Sequence, residues 1–155
     1  VIRAIIVIAA LVATASADDV VLPQTKAKLA VTAGWHAVPA TSVVAGYRSD
    51  RGAILAVTRA QVPNPDAWRS RTRAAYVDQV ERGIADHVPG YRRLARKISE
   101  IHEVPALDLE ARRDNGATVV FRVLLFRSYA LSLAIEVPPG GDVADARAIA
   151  AGFGP

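Results

Sequence analysis

The sequence contains no cysteine, and that absence removes several classes of chemistry at once. It excludes a disulfide framework, a thiolate metal site, a cysteine nucleophile and a lipid anchor on a cysteine after a leader. Lysine is scarce too: of 19 basic residues only Lys26, Lys28 and Lys97 are lysine. The arginine and alanine bias fits the codon usage of a high-GC genome as well as it fits a selected patch. A formal net charge of +4 is a modest solubility term and does not by itself imply a polyanion. Aromatic residues make up 6% of the chain with no RNA-binding signature among them, so nucleic acid is not an expected partner. The three histidines, His36, His87 and His102, form neither a His-x-His nor an HExxH pair, and neither GxSxG nor SxxK occurs.

What is present begins with Val1 to Ala17, VIRAIIVIAALVATASA. An early Arg3, an apolar run from Ala4 to Ala13 and the small-x-small close Ala15-Ser16-Ala17 match the three parts of a secretory signal peptide. Cleavage is expected between Ala17 and Asp18. The apolar run is well short of the ~20 residues a membrane-crossing helix needs, so no stable membrane anchor is expected after leader removal. The expected location is therefore outside the cytoplasm of a bacterium, periplasmic or secreted.

Residues 18–28 (DDVVLPQTKAK) are polar and broken by Pro23, which reads as a flexible linker. Residues 29–155 then read as one domain, which at 52% hydrophobic residues across the chain can bury a core unaided. Leu29–Thr32, Val43–Tyr47 and Ala53–Val62 read as strands, with a turn at Ser49-Asp50-Arg51-Gly52. Asn64-Pro65-Asp66 supplies a helix start, and Trp68, Thr72, Ala75, Tyr76, Gln79, Val80 and Gly83 share one helical face. The helix should end near His87. The period then switches to two over Tyr91–Ile101, Ala106–Arg113, Thr118–Phe126 and Ala130–Val137, with Asp114-Asn115-Gly116 as a hairpin turn. Asp142 caps a last helix whose stripe is Val143, Ala146, Ile149, Ala150 and Phe153. The order gives an α+β fold in which helices pack on an antiparallel sheet.

Several features occur in one order: Gly34-Trp35, Gly46-Tyr47 with Gly52, an amphipathic helix, Pro89-Gly90-Tyr91, Val104-Pro105-Ala106 and a final helix closing on Ala150-Ala151-Gly152-Phe153. In this the chain resembles the PsbP-like superfamily, which includes DcrB-type and LpqN-type bacterial envelope proteins. The resemblance covers most of Leu29–Phe153. It implies an α-β-α sandwich, its antiparallel sheet flanked by a long central helix and a short C-terminal helix. It also implies a non-enzymatic extracytoplasmic role as an accessory or assembly factor. Bacterial members are often lipoproteins, and this chain departs from that in having no cysteine after its leader.

No residue set reads as catalytic, no cofactor is expected, and the failed motif search favours a non-enzymatic role. His87 and His102 flank one strand and are the candidates for a metal site or a hydrolase centre, the alternative function. Asp108 and Glu110 share a strand face, which reads as solvated surface. Pro139-Gly140-Gly141-Asp142 precedes a helix but lacks the lysine of a phosphate cradle and puts an acid in its place. Arg69, Arg73, Arg92, Arg93 and Arg96, with Arg112-Arg113 ending a neighbouring strand, form a candidate anion or partner face if the fold brings them together. The partner so implied is another envelope protein, an acidic one among the candidates. Trp35 and Tyr47 are candidate surface aromatics, with burial in the core as the competing reading.

Overall fold

The computed structural model describes residues 19–62 and 73–155. Seven strands form one antiparallel sheet: β3 (Trp35–Ala37), β4 (Ala45–Ser49), β5 (Ile54–Gln61), β6 (Arg92–Ile101), β7 (Val104–Arg112), β8 (Thr118–Leu125) and β9 (Tyr129–Val137). Their spatial order is β3-β4-β5-β9-β8-β7-β6. Two further strands, β1 (Asp19–Val21) and β2 (Lys28–Ala30), pair with each other. The helices among the described residues are α1 (Arg73–Ala85) and α2 (Val143–Gly152).

β8 is rich in β-branched and aromatic residues and is buried at every position, as suits a strand covered on both faces. Alternation along it separates the interior into two clusters. Val120 and Leu124 join Leu131, Leu133, Ile135, Trp35, Tyr47 and the α2 residues Ala146, Ile149, Ala150 and Phe153. Val119, Phe121, Val123 and Leu125 join Leu107, Leu109 and Val77 of α1, with Tyr76, Val80 and Ile84 packed beside them. Thus α2 covers one face and α1 the other. Asp142 caps α2 as expected, accepting from the N–H groups of Ala144 (3.0 Å) and Asp145 (3.3 Å).

Three sequence expectations need correction. Within the expected linker 18–28, the described residues 19–28 are not loose: β1 lies there, and Leu22 and Ala27 are buried against the α2-side core. Lys28 and Gly154 exchange backbone hydrogen bonds (2.7 and 3.3 Å), so this hairpin is tied to the C-terminus. Trp35-His36, which lies outside the strands expected from the sequence, is part of strand β3, whose three residues are too few to show a period. The buried side of α1 is rotated from the expected one. Ala75, Gln79 and Gly83 are exposed, while Val77 and Glu81 are buried. A hydrophobic pattern assigns a glutamate to solvent, but Glu81 is fully engaged by partners from β6. The expected helix start at Asn64, with Trp68 and Thr72, lies outside the described residues.

Candidate functional site

The face of β6 and β7 that carries the basic residues is set by strand register. Arg92 pairs with Arg112, Ala95 with Glu110 and Lys97 with Asp108, so their side chains share the α2 side. Arg93 pairs with Ala111 and Arg96 with Leu109, on the α1 side. Leu94 is left unpaired at a bulge between Arg93 and Ala95. That extra residue puts Arg93 and Arg96, three apart, on one side.

On the α1 side both arginines meet Glu81. Arg93 Nη1 donates to Oε1 (3.1 Å) and Oε2 (2.9 Å), and Arg96 Nη1 donates to Oε2 (3.0 Å). The Tyr91 hydroxyl donates to Oε1 at 2.9 Å, and Arg96 also pairs with Asp78 at 2.7 Å. Burial, then the hydrogen bond to Glu81, pushes the Tyr91 hydroxyl up to about 12. This is a satisfied network that fixes α1 to β6, and its arginines are not free for a ligand.

On the α2 side the acids are also occupied. Arg122 makes a two-pronged bond to Asp108 (2.6 and 3.0 Å) and reaches the carbonyls of Ala151 (2.8 Å) and Phe153 (3.3 Å). Its charge therefore complements the negative end of α2. Arg147 makes a two-pronged bond to Glu110 (2.8 and 2.7 Å), which holds the Glu110 carboxyl below its ordinary range. Asp108 and Glu110 are thus not a solvated face: they lie against α2, whose arginine partner is distant in sequence. Arg92, Lys97 and Arg112 are exposed and have no ion pair among the described residues. Of these, Lys97 together with Arg147 lines a cleft of ≈ 220 Å³ whose walls include Ala95, Glu110, Arg122 and Ala151.

The basic face anticipated from the sequence is therefore divided. Arg92 stands on the α2 side. Arg93 and Arg96 stand on the other side and are neutralised. Arg69 and the Arg73 side chain lie outside the described residues, as do Ala17 and Asp18. Arg112, Lys97 and Arg147 complete the strip instead. The doublets Arg92-Arg93 and Arg112-Arg113 were visible, but which member of each shares a face depends on register.

Trp35 and Tyr47 are buried, at 2% and 7% exposure, so neither presents its ring to a partner. The Trp35 indole N–H donates to Asp145 at 2.9 Å. It borders a second cleft of ≈ 430 Å³ with Thr32, Asp50, Arg51 and Asp142. His36 contacts Asp50 there at 2.7 Å. His87 and His102 are not brought together. They sit at opposite ends of the ten-residue β6, which at ~3.3 Å per residue separates them by roughly 30 Å. His87 Nδ1 lies 2.7 Å from the Gly83 carbonyl, as suits an imidazole at a helix C-terminus. No group of three or more metal-ligating side chains occurs among the described residues.

A seven-stranded antiparallel sheet with one helix against each face defines an α+β protein of non-obvious chemistry. Among solved structures it is similar to the solution structure of cyanobacterial PsbP from Synechocystis sp. PCC 6803. The TM-score is 0.64 over 94% of this chain and 97% of that one, at 11% sequence identity. The fold is accordingly PsbP-like. No family model matches the sequence, and no curated protein matches it. No helix among the described residues is long and apolar enough to cross a membrane.

Proposed function

We propose that the chain is an exported, non-catalytic accessory protein of the bacterial envelope, of the DcrB and LpqN kind, that works by binding an acidic partner protein. The leader-like Val1–Ala17 supports export, and the PsbP-like fold supports the accessory role. We read the two core clusters as the faces of an α-β-α sandwich, with α1 on one and α2 on the other. The observation that carries the binding site is the exposed cross-strand pair Arg92–Arg112. Like charges placed directly opposite each other cost stability unless an anion lies between them. Lys97 and Arg147 extend that strip along the cleft beside α2.

The test is crosslinked capture of the tagged chain from envelope extracts of its own host, comparing the parent with the Arg92→Glu/Arg112→Glu variant. A partner lost both at high salt and in the variant supports the reading. A partner retained by the variant removes the basic strip as the contact. The N-terminal mass of the recovered protein tests export in the same sample. A chain that still carries residues 1–17 in the cytoplasmic fraction refutes it.

A further inference from the structure

The seven-stranded sheet ends at β6, so alternate residues of Arg92–Ile101 turn their backbone N–H and C=O groups away from β7. Among the described residues, no turn, loop or cap hydrogen bond uses the backbone of these ten residues. Seven of the ten are exposed. At ten residues β6 is also the longest strand in the sheet, and a long open edge is a template for another chain. Two of the three large hydrophobic residues exposed on the described surface lie on it: Leu94 at 43% and Ile98 at 42%.

We infer that the β6 edge takes an extended segment of a partner protein as an eighth strand, and that this segment alternates acidic with apolar residues. The inference rests on the basic-strip reading above and names the form its partner takes. Charge selects the occupant. β6 carries Arg92, Arg93, Arg96 and Lys97 against the single acid Glu100. A second copy paired along the same edge would set arginine and lysine against each other, which blocks self-association. An incoming strand with acids on the α2 side meets Arg92 and Lys97, the two basic residues of β6 without an ion pair among the described residues. On the other side it meets Ile98, where an apolar residue gains cover. Backbone pairing then supplies affinity, and the alternating side chains supply selection.

A fluorescein-labelled octapeptide of alternating glutamate and valine, titrated into the full chain and read by anisotropy, tests this. The comparison peptides carry N-methyl groups on one or the other alternate set of backbone nitrogens, which removes pairing while keeping charge. Saturable binding is expected. It should weaken about tenfold or more with one N-methylated peptide, and by a similar factor in the Arg92→Glu/Lys97→Glu variant. Hydrogen exchange should show alternate β6 amides becoming protected as the peptide binds, and the urea midpoint of the variant confirms that it folds. Equal binding of all three peptides overturns strand addition while leaving the basic strip intact. Binding that ignores the charge reversal overturns the acidic identity of the occupant and the strip with it. Absence of binding, or outward β6 amides already protected in the free chain, overturns the inference outright.

Discussion

Arg122 is the sharpest test of how the α2 face is held. It is one of few charged residues in the core, at 9% exposure, and joins three parts of the fold: β8, Asp108 of β7 and the last carbonyls of α2. Replacing it with methionine keeps much of the volume. The change leaves the Asp108 carboxylate without its two-pronged partner and the Ala151 and Phe153 carbonyls without this donor. Breaking a buried ion pair from one side costs about 3–5 kcal/mol. Asp108 is 27% exposed, so water recovers part of that, and the expected loss is about 3 kcal/mol.

Asp108→Asn is milder, because an amide oxygen still accepts one bond; about 1–2 kcal/mol is expected. The double change Arg122→Met/Asp108→Leu removes both charges, and such swaps are often nearly neutral, so it should cost less than Arg122→Met alone. Urea unfolding at pH 7 reads all of these. With a slope of about 2 kcal/mol per molar, Arg122→Met should lower the midpoint by about 1.5 M with the slope unchanged. Amide exchange in the last turn of α2 should speed up in parallel. A midpoint shift below about 0.5 M, or a double variant that loses as much as Arg122→Met alone, refutes the claim that Arg122 is a buried tie.

Three further outcomes follow from the same structure. The Tyr91 hydroxyl is raised to about 12, so its share of stability is complete below its ordinary value of 10.0 and is lost only as pH rises through about 12. Burial also raises the Tyr47 hydroxyl, so tyrosinate absorbance should show two late-titrating tyrosines, one of which Tyr91→Phe removes and Glu81→Gln shifts downward. The Glu110 carboxyl is lowered by its hydrogen bonds from Arg147, so the stability it gives is present above its ordinary 4.5 and disappears as pH falls through the lower folded value. The acid limb of the stability curve should flatten in Glu110→Gln, measured by urea midpoints across the acid range. Gly90→Ala should lose about 2 kcal/mol or more by thermal unfolding, because Gly90 has φ +65° and an added Cβ would meet the Asp114 backbone N at 2.7 Å and Cα at 2.9 Å.

The elements that could be read from the sequence are those whose information is local. Alternation through Ala130–Val137 gives β9 because Leu131, Leu133, Ile135 and Val137 all face one cluster. The stripe Val143, Ala146, Ile149, Ala150, Phe153 gives α2 for the same reason at helical period. What escaped was decided by distant partners. Glu81 is buried because Arg93 and Arg96 follow 12 and 15 residues later, and the bulge at Leu94 gives both the reach. Asp108 and Glu110 share a face, as their spacing shows, yet alternation is silent on whether that face meets water or α2. Arg147, which answers the question for Glu110, is 37 residues away. β1 escaped for a different reason: its three residues are too few to show a period, and the buried Leu22 and Ala27 that follow it are separated by a polar turn.

The same long-range pairing explains how a chain of modest net charge carries a locally basic edge. The acids where α1 and α2 meet β6 and β7 are each engaged by an arginine: Glu81 by Arg93 and Arg96, Asp108 by Arg122, Glu110 by Arg147. Those pairs fix both helices to one end of the sheet. They also take local carboxylates out of play for the residues that point to solvent. Arg92, Lys97 and Arg112 are left together on the α2 side of the outer strands, with Glu110, already held by Arg147, and Asp108, already held by Arg122, as their near acids. A net charge of +4 summed over the chain conceals this sorting. It is the register of β6 on β7, fixed by the Leu94 bulge and the His102-Glu103 turn, that sets which arginines stabilise the fold and which remain for a partner.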